Sequence, residues 1–400
     1  MQHIRRRFVQ FLIIILGVLI TVTLISFEEG PPSSDEHLPT EELIATSAAL
    51  EFDAAPAPSA TPAKPLEVQL AWFYRPPEEE LFPVLLQNFD FFILTHKAEP
   101  QRDQLRNLGV TAPILKYLLL TEIRDPGNCT DLPLGNQVAF HPGDFCMIDA
   151  EHPDWFLLDE RGKRLGGGEV QWMDPGNPGF REFWLTRARE LQERYGWNGL
   201  FIDNAFAGLG KYRSLNALPQ KYKSDAEYQE AVKGFLEYLR ASYFLPTGRQ
   251  MYANIATVSD HDVWHDYLDF LDGVMVENFA AGWPGRNKTR EEWEEQMSAI
   301  EDAHRRGKTT ILVSQGEQDD LQRQEFSFAS YLLIANEYAF FRYSQSGSYS
   351  QIWLYENYNL ELGAPLSPRY REGANWRRDY LNGYVIVDPG TLDAEIVLTR

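Results

Sequence analysis

Positive charge is scarce for a chain of this size. Of 400 residues, 37 are Lys or Arg and 58 are Asp or Glu, which leaves a net charge of −21. A polyanion is held mainly by Lys and Arg that displace its counterions, and no basic stretch stands out to compensate, so the composition argues against nucleic acid as a partner. Neither G-x-G-x-x-G nor a Walker A sequence is present, which removes the usual signatures of an open sheet wound around a phosphate. Cysteine is confined to Cys129 and Cys146. Both lie in one loop-rich segment with no third cysteine to compete, and they are either a disulfide of an oxidising compartment or two thiols.

What the chain does hold in quantity is aromatic and apolar. The 10 Trp, 19 Tyr and 24 Phe suit a cleft that faces carbohydrate, and equally a large core. Near the start, Arg5, Arg6 and Arg7 precede residues 8–27, which have no charge and are dominated by Leu, Ile and Val. A stretch of about 20 such residues spans a bilayer as a helix. No small-x-small exit follows it, only Ser26, Phe27, Glu28 and Glu29, so the expectation for 1–27 is an uncleaved signal anchor rather than a cleaved leader. Basic residues before the span and acidic ones after it put the N-terminus in the cytoplasm and the rest outside. Membrane attachment is thus single-pass, with a secreted form as the outcome if the signal is cleaved. No lipobox cysteine follows the span. Residues 28–65, rich in Pro, Ala, Ser and Thr, read as a disordered tether, and 66–400 as one folded unit. Asn128-Cys129-Thr130 and Asn287-Lys288-Thr289 fit the N-glycosylation sequon.

Short apolar runs then alternate with longer amphipathic ones. Strands are expected at 68–74, 89–94, 113–118, 199–203, 250–254, 273–277, 310–314 and 339–343. Between them, Ser224-Asp225-Ala226-Glu227 reads as a capping box, followed at helical spacing by Tyr228, Val232, Phe235, Leu236, Leu239 and Tyr243. Thr289-Arg290-Glu291-Glu292 repeats the signal, and that helix is expected to stop near Gly307. Strand, helix, strand in this rhythm implies parallel strands with helical crossovers. Eight of them make an α/β (β/α)8 TIM barrel, in preference to an open doubly wound sheet. Residues 120–175 read as an insertion after the third strand, Gly166-Gly167-Gly168 within it as a flexible turn, and 383–387 with 394–398 as a small C-terminal β addition.

Two segments share one form. Gly199-Leu200-Phe201-Ile202-Asp203-Asn204 and Gly273-Val274-Met275-Val276-Glu277-Asn278 are each a buried strand that ends in an acid and then Asn. A carboxylate on the end of such a strand costs stability unless it is paired. At the C-terminal end of a barrel strand, however, it stands in the mouth where (β/α)8 enzymes do their chemistry. Asp203 and Glu277 then fall on strands four and six and can converge. Two facing carboxylates are what glycoside hydrolysis uses, one to protonate the leaving oxygen and one to attack the sugar or activate water. A shared low-dielectric cleft drives their pKa values apart and so divides the roles. The structural alternative is that each acid caps a strand or bonds a loop.

These two segments, together with Trp172-Met173-Asp174-Pro175-Gly176-Asn177-Pro178 and Trp376-Arg377-Arg378-Asp379-Tyr380-Leu381-Asn382-Gly383, resemble hypothetical glycosyl hydrolase family 15, a group of TIM-barrel glycoside hydrolases. The similarity covers about residues 66–400. More distantly the chain is similar to polygalactosaminidase and α-galactosidase type barrels, which use a strand-four Asp and a strand-six acid. The resemblance implies Asp203 as nucleophile or base and Glu277 as general acid. Glu277 stands where the α-galactosidase type has Asp, which leaves retention or inversion open.

Other residues at strand ends are candidates for substrate contact: Tyr74, His96, Lys116, Tyr117, Asn204, Asn254, Asn278, Trp283, Gln315 and Arg342. Each has a structural alternative. Arg342, for instance, either pairs with a catalytic acid or makes a structural ion pair, and Trp283 either stacks on a sugar or packs. Asp174 is expected to start the helix that follows it. His261 and His265 have the i, i+4 spacing of a zinc site, but no third ligand follows, and a capped helical turn accounts for them. No metal and no cofactor are expected. The reading is a glycoside hydrolase, tethered to the cell membrane and facing outward, that acts on an extracellular polysaccharide. The alternative is a non-catalytic carbohydrate-binding protein of the cell surface.

Overall fold

The computed structural model describes residues 67–399, apart from 76, 134 and 257–260. The expected span at 8–27 and the tether at 28–65 lie outside the described residues. Among the described residues no helix is long and apolar enough to cross a membrane.

Eight parallel strands form one sheet in sequential order: β1 Ala71–Tyr74, β2 Phe91–Leu94, β3 Ile114–Leu119, β4 Gly199–Phe206, β5 Gln250–Ala256, β6 Gly273–Val276, β7 Thr309–Gln315 and β8 Ala339–Ser344. A parallel bridge from Leu70 to Phe341, with the Phe341 N–H donating to Gln69 O at 2.8 Å, joins the last strand to the first and closes a TIM barrel. Each strand falls where an apolar run predicts it. The first starts later, at Ala71, because Leu70 spends its N–H on the Asp90 carboxylate at 3.0 Å instead of on a ladder.

Alternation along the strands sorts two cores. Ala71, Phe73, Phe91, Ile93, Leu115, Phe201, Tyr252, Met275, Ile311, Val313 and Phe340 fill the barrel, while Trp72, Phe92, Ile114, Leu118 and Leu200 face the helices. Successive side chains of a strand point to opposite faces, so a strand buried on both reads as a continuous apolar run. The helix Asp225–Leu239 buries the Tyr228, Val232, Phe235, Leu236 and Leu239 stripe. Its capping box is only half made: Ser224 accepts from the Glu227 N–H, but the Glu227 carboxylate accepts from Lys223 rather than from Ser224. The helix Arg290–Arg305 has the full reciprocal box between Thr289 and Glu292.

The insertion between β3 and β4 carries three short antiparallel strands, Glu122–Arg124, Gly166–Gly167 and Val170–Trp172, and the helix Asp144–Glu151. Cys129 and Cys146 are disulfide-bonded across it. Gly166 and Gly167 are therefore strand, not merely turn. A Cβ on Gly166 would lie 2.0 Å from Val170 O, so only glycine lets these backbones approach. Asp174 does not start the next helix. Asn177 caps Pro178–Glu193 by accepting from the Gly179 and Phe180 N–H groups, and buried Asp174 instead holds Lys221, Tyr222 and the Gly176 N–H.

The C-terminal β addition is larger than the two expected strands. Tyr370–Glu372, Asn375–Tyr380, Gly383–Asp388 and Asp393–Leu398 form a four-stranded antiparallel sheet. From it, Arg378 donates to Leu332 O and Ala335 O at 3.0 and 2.9 Å, satisfying carbonyls left open at the end of the helix Leu321–Ile334.

Candidate active site

Asp203 is aimed by a break in the strand. In the β4–β5 ladder, Ile202 pairs with Ala253 and the next pair is Ala205 with Ile255, so Asp203 and Asn204 together oppose the single residue Asn254. This is a β-bulge, which bends a strand and redirects a side chain. Asn204 takes up the bend with a φ of 60°, a left-handed conformation that Asn tolerates better than most residues. Glu277 is the first residue past β6, two positions on from inward-facing Met275, and so shares its face.

Asn254 joins the two acids. Its side-chain amide donates to Asp203 Oδ1 at 3.0 Å and to Glu277 Oε2 at 2.9 Å. Because both distances run from the same nitrogen, the two acceptor oxygens lie no more than 5.9 Å apart. Asp203 also accepts from the Tyr117 hydroxyl and, at 2.9 Å, from the Asn204 N–H. Glu277 has weaker company, the hydroxyls of Tyr349 at 3.4 Å and Tyr74 at 3.5 Å.

The electrostatics divide the pair. Burial raises the pKa of Asp203, and its three donors oppose that rise. Burial, and then the negative charge of Asp203, push Glu277 up to about 7. Asp203, with the stronger donors, ionises first, and its charge holds the proton on Glu277. One carboxylate and one carboxylic acid held by the same amide can supply a nucleophile and a proton donor to the same bond.

Three tyrosines wall the site. Tyr74 would face outward by strand alternation, but its φ of 74° turns the ring into the mouth. There it packs edge-on against Tyr117 and Tyr349, with ring centroids 4.9 and 5.1 Å away. Tyr349 lies on the loop after β8 and was not singled out from the sequence, where nothing in the spacing of that loop marks it. Also unmarked is Glu122, just past β3. It accepts from Asn204 Nδ2 at 2.9 Å, and its pKa is raised by burial and by Asp203.

The remaining sequence candidates divide. Gln315 donates to the Tyr349 hydroxyl at 2.6 Å, so it positions a residue of the site. Arg342 pairs with neither acid. It is buried against Trp72 and Phe73 and donates to Ala71 O, Tyr349 O and Gln351 O, which fixes the Tyr349 loop by backbone contacts. Lys116 faces away from the mouth, because alternation gives the inward positions to Leu115 and Tyr117. Its ammonium donates to Tyr117 O and Asn136 Oδ1, and burial lowers its pKa to about 7. His96 is tied through its backbone N–H to the same Asn136 and does not touch either acid. Asn204 turns its side chain to Glu122, and Asn278 accepts from Gln296 at 3.1 Å on the helix side, so neither side chain reaches into the carboxylate pair. Trp283, 43% exposed, stands on the hairpin of Gly282–Trp283 with Arg286–Asn287 beyond β6, on the mouth side.

His265 is engaged by Arg306 and Asp302. Among the described residues no group of three or more His, Cys, Asp or Glu gathers as metal ligands would.

A family model described as hypothetical glycosyl hydrolase family 15 matches residues 114–384. Among solved structures, the glycoside hydrolase domain of PelA from Pseudomonas aeruginosa is 18% identical with a TM-score of 0.47, over 72% of this chain and 98% of that one. The noncanonic maltogenic α-amylase AmyB from Thermotoga neapolitana is 12% identical with a TM-score of 0.48, over 80% and 85% of the two chains. An α-amylase from Malbranchea cinnamomea is 10% identical with a TM-score of 0.44, over the same shares. No curated protein matches the chain.

Proposed function

The chain belongs to hypothetical glycosyl hydrolase family 15 and is a glycosidase; we propose that it cleaves its glycosidic bond with retention, using Asp203 as nucleophile and Glu277 as acid and base. The observation behind this reading is the single Asn254 amide that donates to both carboxylates. Retaining glycosidases hold their carboxyl groups about 5–5.5 Å apart, whereas inverting ones leave about 6.5–9.5 Å for a water. Oxygens that share one donor nitrogen, no more than 5.9 Å apart, favour the first.

In the first step Glu277 gives its proton to the glycosidic oxygen, the bond from that oxygen to the anomeric carbon breaks, and Asp203 forms a bond to the same carbon. In the second, Glu277, now a carboxylate, takes a proton from water, whose oxygen displaces Asp203 and releases the sugar. The inversion at each step cancels. Asn254 and Tyr117 hold the Asp203 carboxylate during its approach, and Trp283 offers an exposed ring face on which a sugar can stack.

The substrate we propose is an extracellular polysaccharide, reached from a domain held outside the membrane by the 8–27 span. The Cys129–Cys146 disulfide supports an oxidising compartment.

The test is product release from a panel of polysaccharides by the full-length protein in detergent, with the anomer of the first product read by NMR. Retained configuration, lost in folded Asp203→Asn and Glu277→Gln, is the expected result. An inverted product sinks the nucleophile assignment. Glycan binding without cleavage, unchanged in both variants, would make this a carbohydrate-binding protein.

A further inference from the structure

The end of the barrel opposite the acids holds a cavity of about 420 Å3 whose lining contrasts with the rest of this acidic chain. Arg240, Arg249, Arg306 and Lys308 line it, and Asp272 is the one acid among the lining residues. They come from the helical turn Arg240–Phe244, the turn before β5, and the connections leading into β6 and β7. All therefore sit at the N-terminal end of the strands.

Asp272 is already engaged. Arg240 reaches both of its oxygens at 3.0 and 2.9 Å, and one of them also accepts from the Met251 N–H at 2.8 Å. Arg306 is paired at the rim with Asp269 and Asp302. That leaves Arg249, which donates from Nη1 to Trp197 O at 3.0 Å, and Lys308, which donates to Leu271 O at 2.5 Å. Among the described residues neither forms an ion pair with a carboxylate. Burial lowers the Lys308 pKa, and Arg240 and Arg306 lower it further against the pull of Asp272. Gathering these cations at one cavity works against stability, because like charges in a half-buried site repel and each is partly desolvated.

We propose that this cavity binds a phosphate ester, with the Arg249 fork and the Lys308 ammonium as its principal anchors. An Arg fork and a Lys point charge together suit phosphate oxygens, and the cavity has room for the phosphoryl group with a small polar substituent. The ester can be a soluble one or the head group of an anionic phospholipid. The second source rests on the proposed anchor.

The experiment follows thermal unfolding of the full-length protein in phosphatidylcholine nanodiscs, titrated with inorganic phosphate against chloride of equal ionic strength. A saturable rise in unfolding temperature is expected. The Arg249→Gln/Lys308→Gln double variant should need roughly tenfold more phosphate or beyond for the same rise. Arg249→Lys, which keeps the charge, should retain part of the effect and serves where the double variant does not fold. Discs of phosphatidylglycerol separate the sources: a head group that fills the cavity removes the added effect of phosphate, whereas a soluble ester leaves it intact. The absence of a saturable rise, or an equal rise in a cooperatively unfolding double variant, overturns the proposal. Both acids lie at the far end of the barrel, so polysaccharide cleavage reads out separately and its failure would leave this site untouched.

Discussion

The Gln315 amide donates to the Tyr349 hydroxyl at 2.6 Å, and that hydroxyl lies 3.4 Å from Glu277 Oε1. Because Gln315 occupies a lone pair on the tyrosine oxygen, the phenolic proton is left to point at the carboxyl group. A residue of β7 thereby sets a hydrogen bond made by a loop after β8 to an acid after β6.

That chain of contacts has a kinetic signature. The Tyr349 hydroxyl stabilises the ionised form of Glu277, so its removal should raise the Glu277 pKa. In Tyr349→Phe the alkaline limb of kcat/KM is expected to move upward by roughly half a unit to one unit. Gln315→Leu should shift it the same way by less. A profile in either variant that superimposes on wild type would remove this hydrogen bond from the mechanism.

Wild-type activity itself should be bell-shaped. The proposed mechanism requires Asp203 ionised and Glu277 protonated, and burial with the Asp203 charge holds Glu277 at about 7. Activity is expected to fall tenfold for each pH unit above that value. Glu277→Gln should lose the alkaline limb while still releasing an activated leaving group that needs no proton, a combination that a purely structural role would not produce.

Asn254→Ala removes the donor shared by both acids. Loss of a fixed hydrogen bond to developing or disappearing charge costs about 10²-fold in kcat, with a small change in KM. The variant's pKa values should both rise, since Asn254 favours the ionised form of each acid. Steady-state kinetics across pH would check both effects.

Stability should fall alongside activity at high pH. Glu277 has a folded-state pKa raised from 4.5 to about 7, so its neutral form is the one the fold favours. That contribution is present below the unfolded value and is lost as pH rises through the folded one. Glu277→Gln, which cannot ionise, is therefore expected to be more stable than wild type at pH 8, on the order of 1–3 kcal/mol, and to match it near pH 4. Urea unfolding at the two pH values measures the difference.

The disulfide is a separate lever. Cys129 and Cys146 are 17 residues apart, a loop for which cross-linking is worth roughly 3 kcal/mol. Replacement of both by Ser, or addition of reductant, should lower the denaturant midpoint by a corresponding amount without abolishing the barrel.

Much of this was legible in the sequence because a barrel strand buried on both faces must be a short apolar run, and eight such runs stood out. The inward positions followed from period two: Phe201 and Asp203, Tyr252 and Asn254, Met275 and Glu277 lie two apart on the same face. The same rule places Lys116 outward, one position from inward-facing Tyr117. Tyr74 escapes the rule, because its left-handed φ turns the ring inward and no pattern of residue types announces that. Tyr349 and Glu122 could not be read for a different reason. Tyr349 lies in an irregular loop and Glu122 on a three-residue strand of the insertion, outside the period of the barrel strands, so only tertiary contacts decide what each meets. Arg342 looked like a partner for an acid from its charge, yet backbone carbonyls claim its guanidinium.

The bulge at Asp203 and Asn204 sets a limit on how this barrel can be improved. A uniform β4, with one residue opposite one along its whole length, would recover a regular ladder and relieve the left-handed Asn204. It would also rotate Asp203 off the axis it shares with Asn254. Selection or engineering for heat resistance alone would thus tend to erase the irregularity that aims Asp203 at Asn254.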